Sequence, residues 1–159
     1  MSEFPGVGDG FPAVALALAD GSRVTPADYA AGAPLVVFFY PKDDTPGCTT
    51  ENLDFTALAG DFAAAGVKLL GVSKDTVEKH QKFAAKHGLV VPLASDAAEG
   101  GLSDALGIWT EKVNYGRTYM GMVRTTYLVG ADGVIRQIWH KVKVKGHAEA
   151  VLAAARAMA

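Results

Sequence analysis

One short segment of the sequence carries the residue types needed for redox or nucleophilic chemistry. It is PKDDTPGCTTE, which contains Cys48, the only cysteine of the chain. An isolated cysteine often serves as a small buried hydrophobic residue, so its neighbours decide the interpretation. Thr45 has the residue type of a helix N-cap, and Pro46 then occupies the first helical position. Cys48 becomes the third helical residue, where free backbone N–H groups and the helix dipole stabilise a thiolate.

The residues before this segment predict a buried strand that brings Cys48 to the edge of a sheet. The run PLVVFFY is apolar throughout, which is typical of a strand covered on both faces. Tyr40 and Pro41 end it, so the next loop opens at the carboxyl end of the sheet, where ligand sites gather. The Thr45 hydroxyl, the Cys48 amide and an arginine suit an oxygen-rich substrate. No histidine is close in sequence to act as a base, which disfavours a cysteine hydrolase.

A long helix is predicted to carry the chain away from that edge. We expect it to run from about residue 46 to 65 and to end at Gly66. Leu53, Leu58 and Phe62 are expected to face inward. A second helix is predicted in DTVEKHQKFAAKHG, with Asp75 as its cap and a glycine as its stop.

The other elements predict the architecture. Buried strands are expected in VKLLGVS and LVVPLASD, hairpins around Asp20 and Asp132, short helical turns in TPADYA and near residues 101–106, and a closing helix in HAEAVLAAARAMA. This order predicts an α/β protein with a mixed central β-sheet flanked by helices, because a hairpin adds antiparallel strands to a parallel core. The layout resembles the thioredoxin fold. The length of 159 residues suits one domain, residues 1–159.

Composition excludes several classes of function and partner. The net charge of -2 gives no basic footprint for nucleic acid. A single cysteine cannot form an internal disulfide and favours a reducing compartment. The N-terminal region lacks a basic signal-peptide segment, and no stretch approaches the roughly 18 apolar residues of a membrane span. We therefore expect a cytoplasmic protein with no membrane partner.

Other candidate sites give weaker signals. The glycine-rich GVGDG follows no predicted strand, which argues against a phosphate loop. The four histidines lack metal-ligand spacing, so we expect no metal and no cofactor, and we expect His80 and His87 to be exposed to solvent. Lysines alternate at 141, 143 and 145, which favours a solvated strand edge, with a surface for an acidic partner as the alternative.

The segment around Cys48 resembles the Pro-x-x-x-Thr-x-x-Cys motif of the peroxiredoxins, matched by Pro41, Thr45 and Cys48. The branch that it resembles is the bacterioferritin comigratory protein (Q-type) subfamily. Similarity extends in order through GVSKD, GIWTEK, GRTYMGMVRTTYLVGADGVI and WHKVKVKGH, nearly the whole chain. The resemblance implies a thiolate that attacks a hydroperoxide and becomes a sulfenic acid, with release of water or alcohol.

The resemblance also implies roles for individual residues. Arg124 would be the family arginine, with Arg117 as its rival and Arg136 as a poor candidate. Thr45 would hydrogen-bond the peroxide, and Pro41 would shield the sulfur from water. Glu51 either holds an arginine or is a surface charge of the helix. Residues expected to support the site are Gly47, Tyr40 and Trp109.

One departure from this branch affects the predicted mechanism. Many members carry a second, resolving cysteine five residues after the first, where this chain has Leu53. The resemblance therefore implies an external thiol reductant, either thioredoxin, glutaredoxin or glutathione. It also implies a monomer or weak dimer. The alternatives are a non-catalytic thioredoxin-fold binding module and a thiol transferase.

Overall fold

The computed structural model describes residues 4–97 and 100–158. Within them, the helices are α1 (Pro26–Ala30), α2 (Pro46–Ala64), α3 (Val77–His87), α4 (Leu102–Ala105) and α5 (His147–Ala157). The strands are β1 (Leu16–Leu18), β2 (Arg23–Val24), β3 (Leu35–Phe39), β4 (Lys68–Ser73), β5 (Leu93–Ser95), β6 (Trp109–Asn114), β7 (Arg117–Met122), β8 (Thr125–Val129) and β9 (Ile135–Trp139).

Seven strands form one mixed sheet in the order β2-β1-β5-β4-β3-β8-β9. The central strands β3, β4 and β5 are parallel, while β8 and β9 add antiparallel pairs on one side. The other side ends in the hairpin of β1 and β2. This is the predicted mixed sheet, and its parallel centre places the loops after β3 and β4 at the same edge.

The central strand β3 is buried on both faces because each face is covered by helices. Val36, Phe38 and Tyr40 face a first core cluster, which also contains side chains of α2, α3 and α5. The alternate residues of β3 face a second cluster with side chains of α1 and α4. Gly71 in β4 leaves room for the Phe38 ring, since a Cβ there would lie 2.8 Å from it. That ring stacks on Phe55 at 4.3 Å and so seats α2 on the sheet.

Two details of the predicted helices are wrong. Leu53 is 40% exposed, because it lies roughly 140° around α2 from buried Cys48. Phe62 is buried and Leu58 packs partly against the same core, as predicted. The cap of α3 is Thr76 rather than Asp75, since the Thr76 side chain accepts from a backbone N–H of the first turn.

The hairpin of β6 and β7 pairs outside the main sheet and is not predicted by the sequence pattern. Its outer part is largely exposed, including Val113 at 75% and Tyr115 at 97%. The apolar–polar alternation that marks a half-buried strand is therefore weak here. The hairpin ends at Met122, and Arg124 follows two residues later.

The edge strand β9 is covered in part by the N-terminal segment. Gly8 and Phe11 donate backbone hydrogen bonds to the region around β9, and Gly10 bridges Val134. The lysines at 141, 143 and 145 lie in the loop after β9, so the expected strand edge is wrong. Within residues 4–97 and 100–158, no helix has the length and apolarity required to span a membrane.

Candidate active site

Cys48 lies at the third position of α2, at the carboxyl edge of β3, as predicted. Its side chain belongs to the first core cluster and is 1% exposed. Thr45 is the N-cap residue of α2, and its carbonyl accepts from Thr49 N at 2.8 Å. The first backbone N–H groups of the helix have no intrahelical acceptor. They therefore provide donors beside the sulfur.

The side chain of Thr45 does not cap the helix, which corrects the sequence prediction. Instead, its hydroxyl donates to the carbonyl of Lys42 at 2.9 Å. The reason is local, because the loop turns back within three residues and brings this carbonyl close. With its only proton engaged, the Thr45 oxygen is left as an acceptor. It can accept a hydrogen bond from the O–H of a hydroperoxide.

Arg124 connects the sulfur with a buried carboxylate. It directly precedes β8, its Nη2 lies 3.2 Å from Cys48 Sγ, and its Nη1 donates to Glu51 Oε1 at 2.6 Å. Burial lowers the pKa of Arg124, but the charges of Glu51 and Cys48 outweigh it and raise the pKa above its usual value. The guanidinium is therefore a fixed positive charge beside the sulfur.

The two rival arginines lie away from the sulfur. Arg117 is exposed at the start of β7, beside the turn of the outer hairpin. Arg136 pairs with Asp132 at 2.7 Å near the start of β9. Because β9 runs parallel to β3, that position is at the opposite end of the sheet from Cys48. Only Arg124, among the three candidates, is brought to the site.

Glu51 is 1% exposed and forms the ion pair with Arg124, so its interpretation as a surface charge is wrong. Burial raises the pKa of Glu51 to about 7, against the opposing effect of Arg124. Its Oε2 atom has no hydrogen-bond partner among the described residues. The carboxylate thus holds Arg124 with one oxygen, and its charge changes near neutral pH.

Gly47 lies where the guanidinium passes the helix terminus. A Cβ at this position would lie 3.3 Å from Arg124 Nη2, tighter than most contacts. The absence of a side chain therefore lets the arginine reach Cys48. Gly47 supports the site through this close approach.

A buried polar network underlies the loop before Cys48. The Tyr40 hydroxyl donates to Asp43 Oδ1 at 2.5 Å, and Asp43 Oδ2 lies 2.6 Å from His80 Nδ1. Asp43 also donates its backbone N–H to Asp75 Oδ2 at 2.8 Å. Burial, and then the charge of Asp43, raises the pKa of Tyr40 well above its usual value. The network ties the loop to α3 and to the segment between β4 and α3.

Sequence reasoning missed this network and predicted that His80 is exposed, whereas it is 1% exposed. A signal was present in the spacing of α3. Val77, Phe83 and Ala84 mark the apolar stripe of that helix, and His80 falls within it. His87 is only partly exposed, because it bonds Asp44 at 2.8 Å and packs against Phe83.

One expected site residue, Trp109, lies away from the sulfur. Trp109 packs against the second core cluster, on the face of the sheet opposite Cys48, and Lys74 lies over its ring at 5.2 Å. Pro41 is exposed beside the loop, and its shielding role stays a prediction.

A buried histidine lies behind Arg124. Thr126 Oγ1 is 2.8 Å from His147 Nε2, and the imidazole packs edge-on against Phe55. Burial, together with the charge of Arg124, lowers the pKa of His147 to about 4. This side chain is neutral at pH 7 and does not compete with Arg124 for the sulfur.

The arrangement combines a cysteine sulfur, a fixed cation, open backbone donors and a hydroxyl acceptor. Residues 7–138 match the model of the AhpC/TSA family. The chain belongs to this family. Peroxiredoxin Bcp of Xanthomonas campestris pv. campestris is 50% identical over 144 residues, which cover 91% of this chain and 89% of that protein.

Solved structures of related proteins have the same fold as this chain. One of the Xanthomonas campestris bacterioferritin comigratory protein, described for its alkyl peroxide reduction activity, shares 45% identity with a TM-score of 0.88. It covers 96% of this chain and 99% of that chain. The expected peroxiredoxin resemblance and thioredoxin-like fold are confirmed, and the family is one of thiol-dependent peroxidases.

One relative differs from this chain in the number of its cysteines. Two structures of Xanthomonas campestris peroxiredoxin Q carry serine in place of a cysteine, each at a different position. They share 45% and 44% identity with this chain and cover 99% of it, with TM-scores of 0.88 and 0.87. That protein therefore has at least two cysteines, whereas this chain has one.

Proposed function

We propose that this chain reduces hydroperoxides through Cys48 and depends on an external thiol for turnover. The observation that carries the proposal is the position of Arg124, whose guanidinium spans Cys48 Sγ and Glu51. A buried sulfur gains a charge-assisted hydrogen bond when it is a thiolate. An inert core cysteine has no use for such a partner, which argues against the non-catalytic binding module.

In the first step the Cys48 thiolate attacks the terminal oxygen of the hydroperoxide. The S–O bond forms as the O–O bond breaks, the sulfur is oxidised to a sulfenic acid, and the leaving oxygen takes up a proton as water or alcohol. The Arg124 guanidinium and the amides at the start of α2 stabilise the developing negative charge. Thr45 orients the peroxide by accepting its O–H. Substrates of this class include hydrogen peroxide and organic hydroperoxides.

In the second step a thiol attacks the sulfenic sulfur, water leaves, and a mixed disulfide forms. A further thiol then attacks the first thiol's sulfur in this mixed disulfide. Cys48 is released as a thiolate, and the two external thiols leave as a disulfide. Both electrons come from outside the chain, since it has no second cysteine. A thioredoxin, a glutaredoxin or glutathione can supply them. A reducing compartment such as the cytoplasm provides these thiols.

Peroxide consumption with dithiothreitol as the reductant tests this function. The wild-type chain should consume peroxide well above the rate of the Cys48→Ser variant. Equal rates would overturn the proposal. A chain that instead exchanges disulfides between small thiols without consuming peroxide would be a thiol transferase.

We also propose that the chain is a monomer or a weak dimer. Support comes from the partial cover of edge strand β9 by residues 8–11, which hinders strand-to-strand pairing. Sedimentation velocity at several concentrations checks this, and a stable decamer would contradict it.

A further inference from the structure

Three lysines in the loop after β9 form a positively charged surface that the peroxidase mechanism does not use. Lys141, Lys143 and Lys145 are all exposed, while Val142 and Val144 between them are partly buried. This alternation directs the three ammonium groups to the outer side of the loop. We call this surface the lysine loop.

The lysine loop lies at the same edge of the sheet as Cys48. Strand β9 runs antiparallel to β8, and β8 antiparallel to β3, so the loops after β3 and β9 emerge together. Contact with the site is direct, because Val142 N donates to the carbonyl of Arg124 at 3.0 Å. The side chain of the same arginine lies 3.2 Å from Cys48 Sγ.

The three lysines of the lysine loop form no ion pairs within the described part of the chain, residues 4–97 and 100–158. No Asp or Glu occurs between Asp132 and Glu149. By contrast, Lys79 and Lys86 of α3 pair with Asp75 at 3.8 Å and Asp44 at 2.7 Å. Cations left unpaired at one edge of a protein with a net negative charge create a local positive potential.

From these observations we propose that the lysine loop is the docking surface for an acidic dithiol protein that reduces oxidised Cys48. This inference rests on the proposed peroxidase function and identifies its reductant by chemistry. An outward row of cations on a surface loop is an extended face rather than a concave pocket, which suits a protein more than a small thiol. Docking there places the partner at the sheet edge that carries Cys48, whose sulfur the partner's thiolate must attack.

The reduction balances with this partner as the only co-reactant. One thiolate of the partner attacks the sulfenic sulfur of Cys48, the S–O bond breaks, and the oxygen leaves as water after protonation. The second thiol of the partner then attacks the partner's first sulfur, which is bonded to Cys48 in the mixed disulfide. Cys48 leaves as a thiolate. The partner departs with an internal disulfide, because it has given up two electrons.

The test compares two triple variants that change the net charge equally. The first neutralises the lysine loop by Lys141→Gln, Lys143→Gln and Lys145→Gln. The control replaces exposed cations at the opposite end of the sheet, by Lys68→Gln, Arg136→Gln and Arg156→Gln. Each protein is oxidised with one equivalent of peroxide, and its reduction is followed with a thioredoxin of net negative charge, with dithiothreitol and with glutathione.

We expect the lysine-loop variant to react about tenfold more slowly with the acidic thioredoxin at low salt, as loss of electrostatic steering requires. The control variant should react like wild type, and dithiothreitol should reduce all three proteins equally. The wild-type rate with thioredoxin should also fall from about 10 mM to about 1 M ionic strength, as the Debye length shrinks from about 30 Å to about 3 Å. This salt dependence needs no variant.

Several results would overturn the proposal. They are a salt-independent thioredoxin rate, equal slowing in both triple variants, or slowing with glutathione alone, which would assign the lysines to a small anionic thiol. A failure of the proposed function itself is distinguishable. In that case dithiothreitol supports no peroxide turnover in any of the proteins.

Discussion

The imidazole of His80 lies 2.6 Å from the carboxylate of Asp43, and both side chains are almost fully buried. The contact joins α3 to the loop between β3 and Cys48. Tyr40 bonds the other carboxylate oxygen, so Asp43 is fixed from two directions. The loop that presents Thr45 is therefore held by buried contacts of Asp43 in addition to the exposed contacts of Asp44.

Replacement of Asp43 with alanine should weaken this network. Alanine leaves the buried Tyr40 hydroxyl and His80 Nδ1 without their partner, so unfolding should become easier by about 2 kcal/mol. Peroxide reduction should also slow, because Thr45 and the start of α2 lose their fixed position. The control is Asp44→Ala at the neighbouring exposed residue. Its contacts with Lys86 and His87 are at the surface and screened by solvent, so its loss should have a much smaller effect on both measurements. Denaturant unfolding and peroxide kinetics check this, and equal effects of the two changes would contradict it.

Removal of the Arg124 guanidinium should affect the reaction with peroxide directly. Arg124→Ala should lower its rate by about 10²- to 10³-fold, the usual loss for a donor that stabilises developing charge. Arg124→Lys should rescue little, because an ammonium cannot span Cys48 and Glu51 as a planar fork does. Stopped-flow measurement of the first turnover gives the rate. Arg136→Ala serves as the control and should react normally. A fully active Arg124→Ala protein would remove this arginine from the mechanism.

The free energy of unfolding should depend on pH through the titration of Glu51. Its pKa is raised by burial from 4.5 to about 7, so the folded state binds a proton more tightly than the unfolded state. The tighter proton binding stabilises the folded state fully below pH 4.5, and this stabilisation is lost as pH rises through 7. Between pH 4.5 and 8 the wild type should therefore lose about 3 kcal/mol relative to Glu51→Gln. Urea unfolding of both proteins at the two pH values measures this difference.

His147 also makes the free energy of unfolding depend on pH, in the opposite direction from Glu51. Its pKa is lowered from 6.5 to about 4, so its contribution is present above pH 6.5 and lost as pH falls through 4. Both proteins contain His147, so its effect cancels in the comparison. A difference between wild type and Glu51→Gln that does not change with pH would contradict the assignment to Glu51.

Much of the main sheet could be predicted from sequence because its central strands are strongly apolar. The Cys48 position followed from the cap and proline at the start of α2, which are local signals. The prediction that Leu53 faces inward is wrong because it depends on the apolar residue type and not on the angle of Leu53 around the helix. The outer hairpin of β6 and β7 was missed because its exposed strands bury too little to produce a pattern.

The site was predictable only in part. Arg124 follows from the family resemblance, but its bonds to Cys48 and Glu51 join residues more than 70 positions apart. No periodicity along a chain encodes such a contact. The polar character of histidine predicts a surface position for His80, although the apolar stripe of α3 includes it. A buried polar side chain is predictable only together with its partner, and Asp43 lies in another element.

A cysteine at position 53 should not easily replace an external thiol. Residues 48 and 53 both lie within α2, and five helical residues separate α-carbons by roughly 8 Å. Disulfides require a shorter distance, so Leu53→Cys should form an internal disulfide only slowly after peroxide treatment. Ala57→Cys, farther along the exposed side, is the control and should form none. Rapid closure in Leu53→Cys would show that the first turns of α2 unwind readily.

In the proposed mechanism Cys48 alone carries the oxidation, and no second cysteine of the chain protects it. Mass spectrometry after graded addition of peroxide without thiol shows which oxidation states this residue reaches. One equivalent should add a single oxygen to Cys48, excess peroxide should add a second and a third, and Cys48→Ser should gain none at this position. Dithiothreitol supplied after the first equivalent should restore the thiol. A wild-type chain that gains no oxygen at Cys48 after many equivalents, or keeps a stable sulfenic acid in excess peroxide, would contradict this mechanism.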